Sequence, residues 1–292
     1  HTGLSLYQRV GLTHVNTPLS AAQINTETNL RWAQKIRKRW AYKLNLGFMH
    51  GHDWIANDLS DLAVGANAST SLPDGSSNPA YDPVNGYGNE RSNRRTLSLA
   101  GKNYQVARTG YYEREVTNYN VQNLKGDFTL AFRPIAGSEL SYTYRIGEVN
   151  NVYQRSNRFR LQDYLLQQHQ LRYRSGQLTA NAYVTLENTG NSYNLRSMGE
   201  NLDRQVKTDE QWFADYRTRF PQATAQDDNV LKAHQLARAY ADSGRLVPGT
   251  PAFNTRLNQL ADINNWDIGA ALRVVSRLYH AEAQYNFSPL VK

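Results

Sequence analysis

The chain has 292 residues, room for one or two domains, and carries 33 Lys and Arg against 25 Asp and Glu for a formal net charge of +8. It has no cysteine, which excludes disulfides, cysteine-ligated metals and a cysteine nucleophile. Mean hydropathy is −0.69 although charged residues make up only 20%, so the polarity comes from Asn, Gln, Ser, Thr and Gly, and no run of about 18 apolar residues exists to form a membrane-crossing helix.

Leu4, Leu6, Val10 and Leu12 alternate with Ser5, Arg9 and Thr13. Side chains alternate across a strand with period two, so this predicts a strand over about 4–14. Residues 15–28 read as a polar loop, 28–35 as a weaker strand and Lys35-Ile-Arg-Lys-Arg39 as a turn. The strongest strand signal follows over 39–50, where Trp40, Tyr42, Leu44, Leu46 and Phe48 alternate with Ala41, Lys43, Asn45 and Gly47. The segment 51–121 is a long loop, and its middle from Gly65 to Pro79 is turn-forming and aperiodic. Leu124, Phe128, Leu130 and Phe132 then alternate with Lys125, Asp127, Thr129 and Arg133. Pro134-Ile-Ala-Gly137 turns the chain into Leu140, Tyr142, Tyr144 and Ile146, with Glu139, Ser141, Thr143 and Arg145 opposite.

A medium loop over 151–162 precedes another hairpin. One arm carries Leu165, Leu171 and Tyr173, the turn is Ser175-Gly-Gln177, and the other arm carries Leu178, Ala180, Ala182, Val184 and Leu186. Over 189–272 the period becomes helical. Thr208-Asp-Glu-Gln211 is a capping box ahead of Trp212, Phe213 and Tyr216. Asp227 and Asp228 precede Val230, Ala233, Ala237, Tyr240 and Ala241, with Gly244 as the stop. Thr250-Pro251 opens a third short helix holding Phe253, Leu257 and Leu260. The last strand sets Arg277, Tyr279, Ala281, Ala283, Tyr285 and Phe287 against Leu278, His280, Glu282, Gln284 and Asn286.

Connections therefore alternate long and short, the order of an up-and-down barrel with long loops at one end and tight turns at the other. The expected fold is all-β: an antiparallel up-and-down transmembrane β-barrel segment, about eight strands of a larger barrel, with long extracellular loops of which one contains short helices. Residues 1–292 then form part of one outer-membrane β-barrel domain, with 51–121 and 189–272 as its long extracellular loops. Tyr42, Leu44, Leu46, Phe48, Phe128, Leu130, Tyr142 and Tyr144 face lipid on this reading, opposite a lumen lined by residues such as Asn45 and Arg145. Trp40 and Trp54 bracket the clearest strand roughly 35 Å apart along the membrane normal, one at each interface. A soluble antiparallel sandwich is the competing fold, and the lack of a balancing apolar second sheet weighs against it.

Leu30-Arg-Trp-Ala33, the run from Trp40 to Leu46 leading into Asp53-Trp54, Arg108-Thr-Gly-Tyr-Tyr-Glu113, the run from Ala233 to Thr250, and Leu278 to Phe287 span most of the chain. Together they resemble the TonB-dependent receptors of Bacteroidetes, which are outer-membrane importers. The resemblance implies a barrel of about 22 strands plugged by a globular domain, with roughly a third of the wall in this chain. It implies residence in the cell outer membrane of a Gram-negative bacterium and uptake of a scarce nutrient such as an iron chelate, oligosaccharide or peptide. The implied partners are outer-membrane lipid and lipopolysaccharide, in the full receptor a plug domain and periplasmic TonB, and a surface lipoprotein. The sequence opens on His1 and closes on Ser288-Pro-Leu-Val-Lys292, where a new strand starts to read, as expected of an interior piece of a longer polypeptide. It contains no plug-like or TonB-box segment, so gating and energy coupling carry over to no residue here. The alternative is a structural or adhesive outer-membrane β-barrel protein whose loops bind a surface partner, and a third reading is a soluble β-rich binding module.

No hydrolase elbow, P-loop, dinucleotide-binding glycine pattern or zincin helix is present, so the expectation is no enzyme and no cofactor. His50, His52 and Asp53 form the best metal-like cluster, and Asp82, Asn85, Asn89 and Glu90 offer oxygens for calcium. A strand top and a solvated loop explain them better, so no metal is assigned. Basic and aromatic residues interleave as in Tyr142-Thr-Tyr-Arg145, yet they fall on opposite faces, which argues against nucleic acid. Loop aromatics can stack on sugar rings or flat ligands. Tyr111 and Tyr112, with Tyr81 and Tyr87, are the ligand-binding candidates, whereas Trp212 and Tyr216 read as packing residues.

Overall fold

A computed structural model describes residues 2–13, 23–90, 93–153, 158–225, 229–265 and 268–288. In chain order it forms β1 (Thr2–Thr13), β2 (Gln23–Ile36), β3 (Trp40–His52), β4 (Gly86–Tyr87), β5 (Arg94–Leu99), β6 (Lys102–Ala107), β7 (Tyr111–Tyr112) and α1 (Glu113–Val116). There follow β8 (Asn120–Phe132), β9 (Ser138–Tyr153), β10 (Phe159–Ser175), β11 (Leu178–Asn188), β12 (Tyr193–Asn194), α2 (Leu195–Arg204), α3 (Asp209–Thr224), α4 (Val230–Ala241), α5 (Pro251–Asp262) and β13 (Val275–Tyr285). No helix among the described residues is long and apolar enough to cross a membrane.

The eight long strands pair antiparallel in the order β1-β2-β3-β8-β9-β10-β11-β13. Residues directly opposite in such a ladder share a face. The registers Leu6↔Leu30, Leu30↔Leu46, Leu44↔Phe128, Phe128↔Tyr144, Tyr142↔Leu171, Leu171↔Ala182 and Ala182↔Ala281 carry one apolar face across every strand. The opposite face is polar along the row Arg31↔Asn45, Asn45↔Asp127, Asp127↔Arg145, Arg145↔Gln168 and Gln168↔Thr185. There Asn45 donates to Asp127 at 2.7 Å, Arg145 to Gln168 at 2.7 Å and to Gln170 at 2.9 Å, and Gln168 to Thr185 at 3.0 Å. On the apolar face the tyrosine hydroxyls meet Gln34, His169 and Gln167, and the hydrocarbon between them is open: Leu6 is 72% exposed, Trp32 41% and Tyr279 71%.

At one end of the sheet the connections are tight. The turns occupy 37–39, 133–137 and 176–177, the last with Gly176 at φ 50, in the left-handed region that glycine enters at no steric cost. At the other end residues 53–119 and 189–274 leave as long connections. Strand β2 begins at Gln23, so residues 23–28 of the loop expected over 15–28 are strand. Their own pattern is polar, and pairing of Thr26 with Val10 and Thr28 with Gln8 supplies the ladder. Likewise β9 runs to Tyr153 and β10 starts at Phe159, both inside the loop expected over 151–162. Positions 14–22 and 154–157, Asp227, Asp228 and the tail from 289 to 292 lie outside the described residues. β1 and β13 pair with one inner neighbour each and not with one another, so the ladder is open among the described residues.

The long connections fold against each other into a cap with two cores. In one, Leu97, Leu99, Tyr104 and Val106 of the β5–β6 hairpin pack on Trp212, Phe213, Tyr216 and Phe220 of α3 and on the Ala233, Ala237, Ala241 stripe of α4. In the other, Tyr87, Tyr111, Val116 and Tyr119 pack on Tyr193, Leu195, Met198 and Leu202 and on Phe253 and Leu260 of α5. The Thr208–Gln211 capping box is present, and Thr250 caps α5 with Pro251 in its first turn. Asn229 caps α4 through the amide of Lys232. The helix α2 is unanticipated. Gly199 sits inside it because a Cβ there would lie 2.5 Å from Cβ of Tyr87, so the helix approaches β4 only through glycine.

His234 on α4 is buried in the first core, its Nδ1 2.8 Å from the Tyr216 hydroxyl and its ring 4.6 Å from that of Tyr104. Burial lowers its pKa to about 4 from the ordinary 6.5, helped by Arg238. The unfolded chain therefore binds a proton below about pH 6.5 that the folded cap refuses until about pH 4. This contribution is intact above the upper value and is lost as pH falls through the window, by about 3 kcal/mol in all. Thermal unfolding of the cap, followed by near-UV dichroism, should shift to lower temperature between pH 6.5 and 4, and the His234→Gln variant should shift less. A midpoint equally pH-dependent in both proteins would remove His234 as the cause.

Candidate functional site

The cap contains a pocket of about 260 Å³ where the first long connection meets α4 and the segment after it. Its walls combine irregular chain with residues of short elements, Tyr111 and Tyr112 of β7, Glu115 of α1 and Arg238 of α4. The β5–β6 hairpin is held by α3 and α4, so the residues that follow it, Arg108 to Tyr112, are delivered beside α4. Arg108 is buried and donates to the carbonyls of Lys207 and Asp203 and to Asp209 at 2.8 Å. Arg238 of α4 donates to the Thr109 hydroxyl at 3.0 Å and the Pro79 carbonyl at 2.8 Å. Arg245 donates to the Gly110 carbonyl at 2.6 Å, faces Asp203 at 3.5 Å and lies 3.8 Å from the centre of the Tyr111 ring. Asp242 binds the other side of the same strip, accepting from Thr109 at 2.6 Å and from the Trp212 indole at 2.8 Å.

The remaining wall is the aperiodic run that the sequence leaves irregular. It has no regular structure beyond a 3-10 turn at Ala68–Thr70, yet it is fastened from inside. Asn67 donates to Asn78 at 2.8 Å and to the Gln105 carbonyl, and the Asn78 amide donates to Pro73. Asn89 is 5% exposed, gives its amide to the Tyr81 carbonyl at 3.3 Å, and has no hydrogen-bond partner for Oδ1 among the described residues. Glu115 closes the rim by accepting from the Tyr112 amide at 2.8 Å. Burial pushes the Asp203 carboxyl up to about 8, against the pull of Arg245 and Arg108. Burial also raises the Tyr111 phenol.

Of the four tyrosines named as ligand candidates, Tyr81, Tyr111 and Tyr112 line this pocket and Tyr87 does not. Tyr81 and Tyr112 are half-buried. The Tyr81 hydroxyl donates to Leu59, and Arg114 lies 5.3 Å from the Tyr112 ring centre. Tyr111 and Tyr87 are buried, which corrects the expectation of exposed rings: Arg245 covers Tyr111, whose hydroxyl donates to Leu246, and the Tyr87 hydroxyl donates to Glu113. Trp212 and Tyr216 are core. Nothing in the sequence brings the arginines at positions 108, 238 and 245 together.

His50 lies opposite Gln122 on β8, while the His52 ring lies 6.2 Å from that of Tyr119 and the Asp53 carboxylate accepts from the Trp54 amide. Asp82 pairs with Arg94, and Glu90 accepts from Gly88. No cluster of three His, Cys, Asp or Glu that could hold a metal occurs among the described residues. Lys43 lies 3.7 Å from Asp127 on the polar face, and Trp40 packs on Phe132 with ring centres 4.4 Å apart at the tight-turn end.

No protein-family model matches the chain, and comparisons with curated proteins and with solved structures return no match.

A buried carboxylate ties the pocket to the sheet. Glu113 is fully buried and accepts from Tyr87 at 2.6 Å, from Tyr119 at 2.9 Å and from Arg158, which lies between β9 and β10. Removing the cation strands the charge, so Arg158→Met should destabilise the cap by about 3–5 kcal/mol. The double variant with Glu113→Gln should recover part of that loss in denaturant titration of the complete chain. No recovery would mean that Arg158 acts through packing and not through the Glu113 charge.

Proposed function

We propose that the chain is part of the wall of an outer-membrane β-barrel, with its long connections folded into an extracellular cap. In its fullest form this is the barrel of a TonB-dependent-type receptor that imports a scarce nutrient, an iron chelate, oligosaccharide or peptide. The observation that carries the reading is the apolar face that crosses all eight strands with no second layer packed on it among the described residues. Monomeric proteins in water rarely leave contiguous apolar patches above a few hundred Å². A soluble antiparallel sheet covers such a face with a second layer, whereas a barrel wall presents it to hydrocarbon.

Three further features support it. The long strands have 11 to 17 residues, enough for the 9–11 or so tilted residues that cross a bilayer. Connections are long at one end and tight at the other, as in barrels whose long loops face outward. Trp40 and Phe132 at the tight-turn end, and Trp54 just beyond the other end of β3, suit the two interfacial aromatic girdles. Open edges on β1 and β13 are liabilities unless paired, so on this reading further strands continue the wall on both sides. Lipid, lipopolysaccharide, a plug domain, TonB and a surface lipoprotein are partners by resemblance alone.

If the even positions of β3 meet lipid, Leu44→Arg should cost about 2–4 kcal/mol and Asn45→Arg, beside Asp127, far less. Reversible unfolding of the complete barrel in bilayers measures both, and equal costs would reverse or abolish the assignment of faces.

The two ends of the sheet should also lie on opposite sides of the membrane. The chain has no cysteine of its own, so Ser76→Cys in the cap and Ser175→Cys at a tight turn report cleanly. An impermeant maleimide on intact cells should label the first and spare the second. Labelling of both, or of Ser175→Cys alone, would overturn the topology.

A further inference from the structure

We propose that the cap pocket binds one acidic sugar unit, its carboxylate taken by Arg238 and Arg245 and its hydroxyls by Asn89 and Glu115. The inference names the ligand class for the proposed importer and takes its biological role from that reading, while the binding itself can be measured without import.

Size is the first constraint. A volume of about 260 Å³ falls below the roughly 300–1,000 Å³ of sites for drug-sized molecules, so it suits a single ring and not a chelate or an extended chain. Charge is the second. Arg238 spends two N–H groups on the neutral acceptors Thr109 and Pro79 and forms no ion pair among the described residues. A guanidinium carries five donors in a fixed fork matched to carboxylate geometry, so Arg238 keeps capacity for a planar oxyanion. Arg245, a fifth exposed, adds a second cation across the Tyr111 ring. Asp209, Asp242 and Glu115 surround the same strip, which favours a singly charged carboxylate over a phosphate dianion.

The third constraint is hydrogen-bond complementarity. Asn89 is buried and its Oδ1 lacks a donor, an arrangement that costs free energy until a ligand supplies one. Glu115 at the rim is a second acceptor. A ligand that answers both acceptors and the arginines must combine several O–H donors with an anion. Polyhydroxylated acids do so, and simple carboxylates do not. Tyr81 and Tyr112 are half-buried beside these groups and offer ring surface to the apolar side of a sugar.

The test is calorimetric titration of the complete chain in detergent micelles with four probes: a methyl glucuronoside, the matching methyl glucoside, glucose 6-phosphate and acetate. The glucuronoside should bind at least about tenfold more tightly than each of the others, since one charge-assisted hydrogen bond is worth that much. Arg238→Gln should weaken glucuronoside binding several-fold, toward the level of the glucoside, with Arg245 still in place. If that variant loses the cap's thermal transition, Glu115→Gln serves instead and should weaken the neutral glucoside several-fold, and an unchanged glucoside affinity would overturn the inference. Equal binding of glucuronoside and glucoside, acetate or the phosphate matching the glucuronoside, no binding of any probe, or a folded Arg238→Gln that binds normally would each overturn the inference. A failed lipid-face comparison at Leu44 and Asn45 would remove the barrel and leave this binding result untouched.

Discussion

An eight-strand ladder with one uncovered apolar face is the constraint on which everything else in this molecule depends. Antiparallel pairing satisfies the backbone polar groups of the inner strands, so the sheet needs no second layer for hydrogen bonding. It does need an apolar surrounding for Leu6, Leu30, Leu44, Phe128, Tyr144 and their neighbours. The cap cores are assembled from the long connections, with Val152 joining one of them from the end of β9, and they do not include Leu6, Leu30, Leu44, Phe128 or Tyr144. The cap therefore cannot solve the sheet's solvation problem, and the proposed solution is hydrocarbon. The polar face follows the opposite logic. Its Asn, Gln, Thr and Arg side chains bond to one another across the strands, as expected where water is present but shared.

The second organising feature is the way the cap is anchored. Its apolar cores are built between connections separated by the strands of residues 120–188, and buried charges fix their relative placement. Glu113 gathers Tyr87, Tyr119 and Arg158, while Arg108 reaches Asp209 and two carbonyls before α3. Such groups are costly to bury and specific in geometry. They hold the pocket rim at Tyr112 of β7 and Glu115 of α1 in register with Arg238 of α4 and with Arg245. A pocket on this support is preformed, and preformed sites lose less affinity to ordering.

Much of the sheet was legible in sequence. Period two is a local property, so Trp40 to Phe48, Leu124 to Phe132, Leu140 to Ile146 and Leu178 to Leu186 declare both strand and face. Capping chemistry is local as well, and Thr208, Gln211, Thr250 and Pro251 mark two helix starts. What failed was what depends on partners. Residues 23–28 are mostly polar and pair because β1, and from Thr26 on also β3, lies beside them. Leu195, Met198 and Leu202 do carry helical spacing, but Gly199 and Asn201 lower the propensity, and only the close approach to Tyr87 explains the glycine.

The amino-acid sequence by itself determined the strands, their two faces, the alternation of long and tight connections and the presence of helices in the last long connection, because each is written in spacing along the chain. The tertiary structure alone decided the strand order, the open edges, the burial of Tyr87 and Tyr111, and the meeting of Arg108, Arg238, Arg245 and Asn89 around one pocket. Those residues lie up to about 150 positions apart, and spacing along a chain carries no information about which distant loops fold against each other.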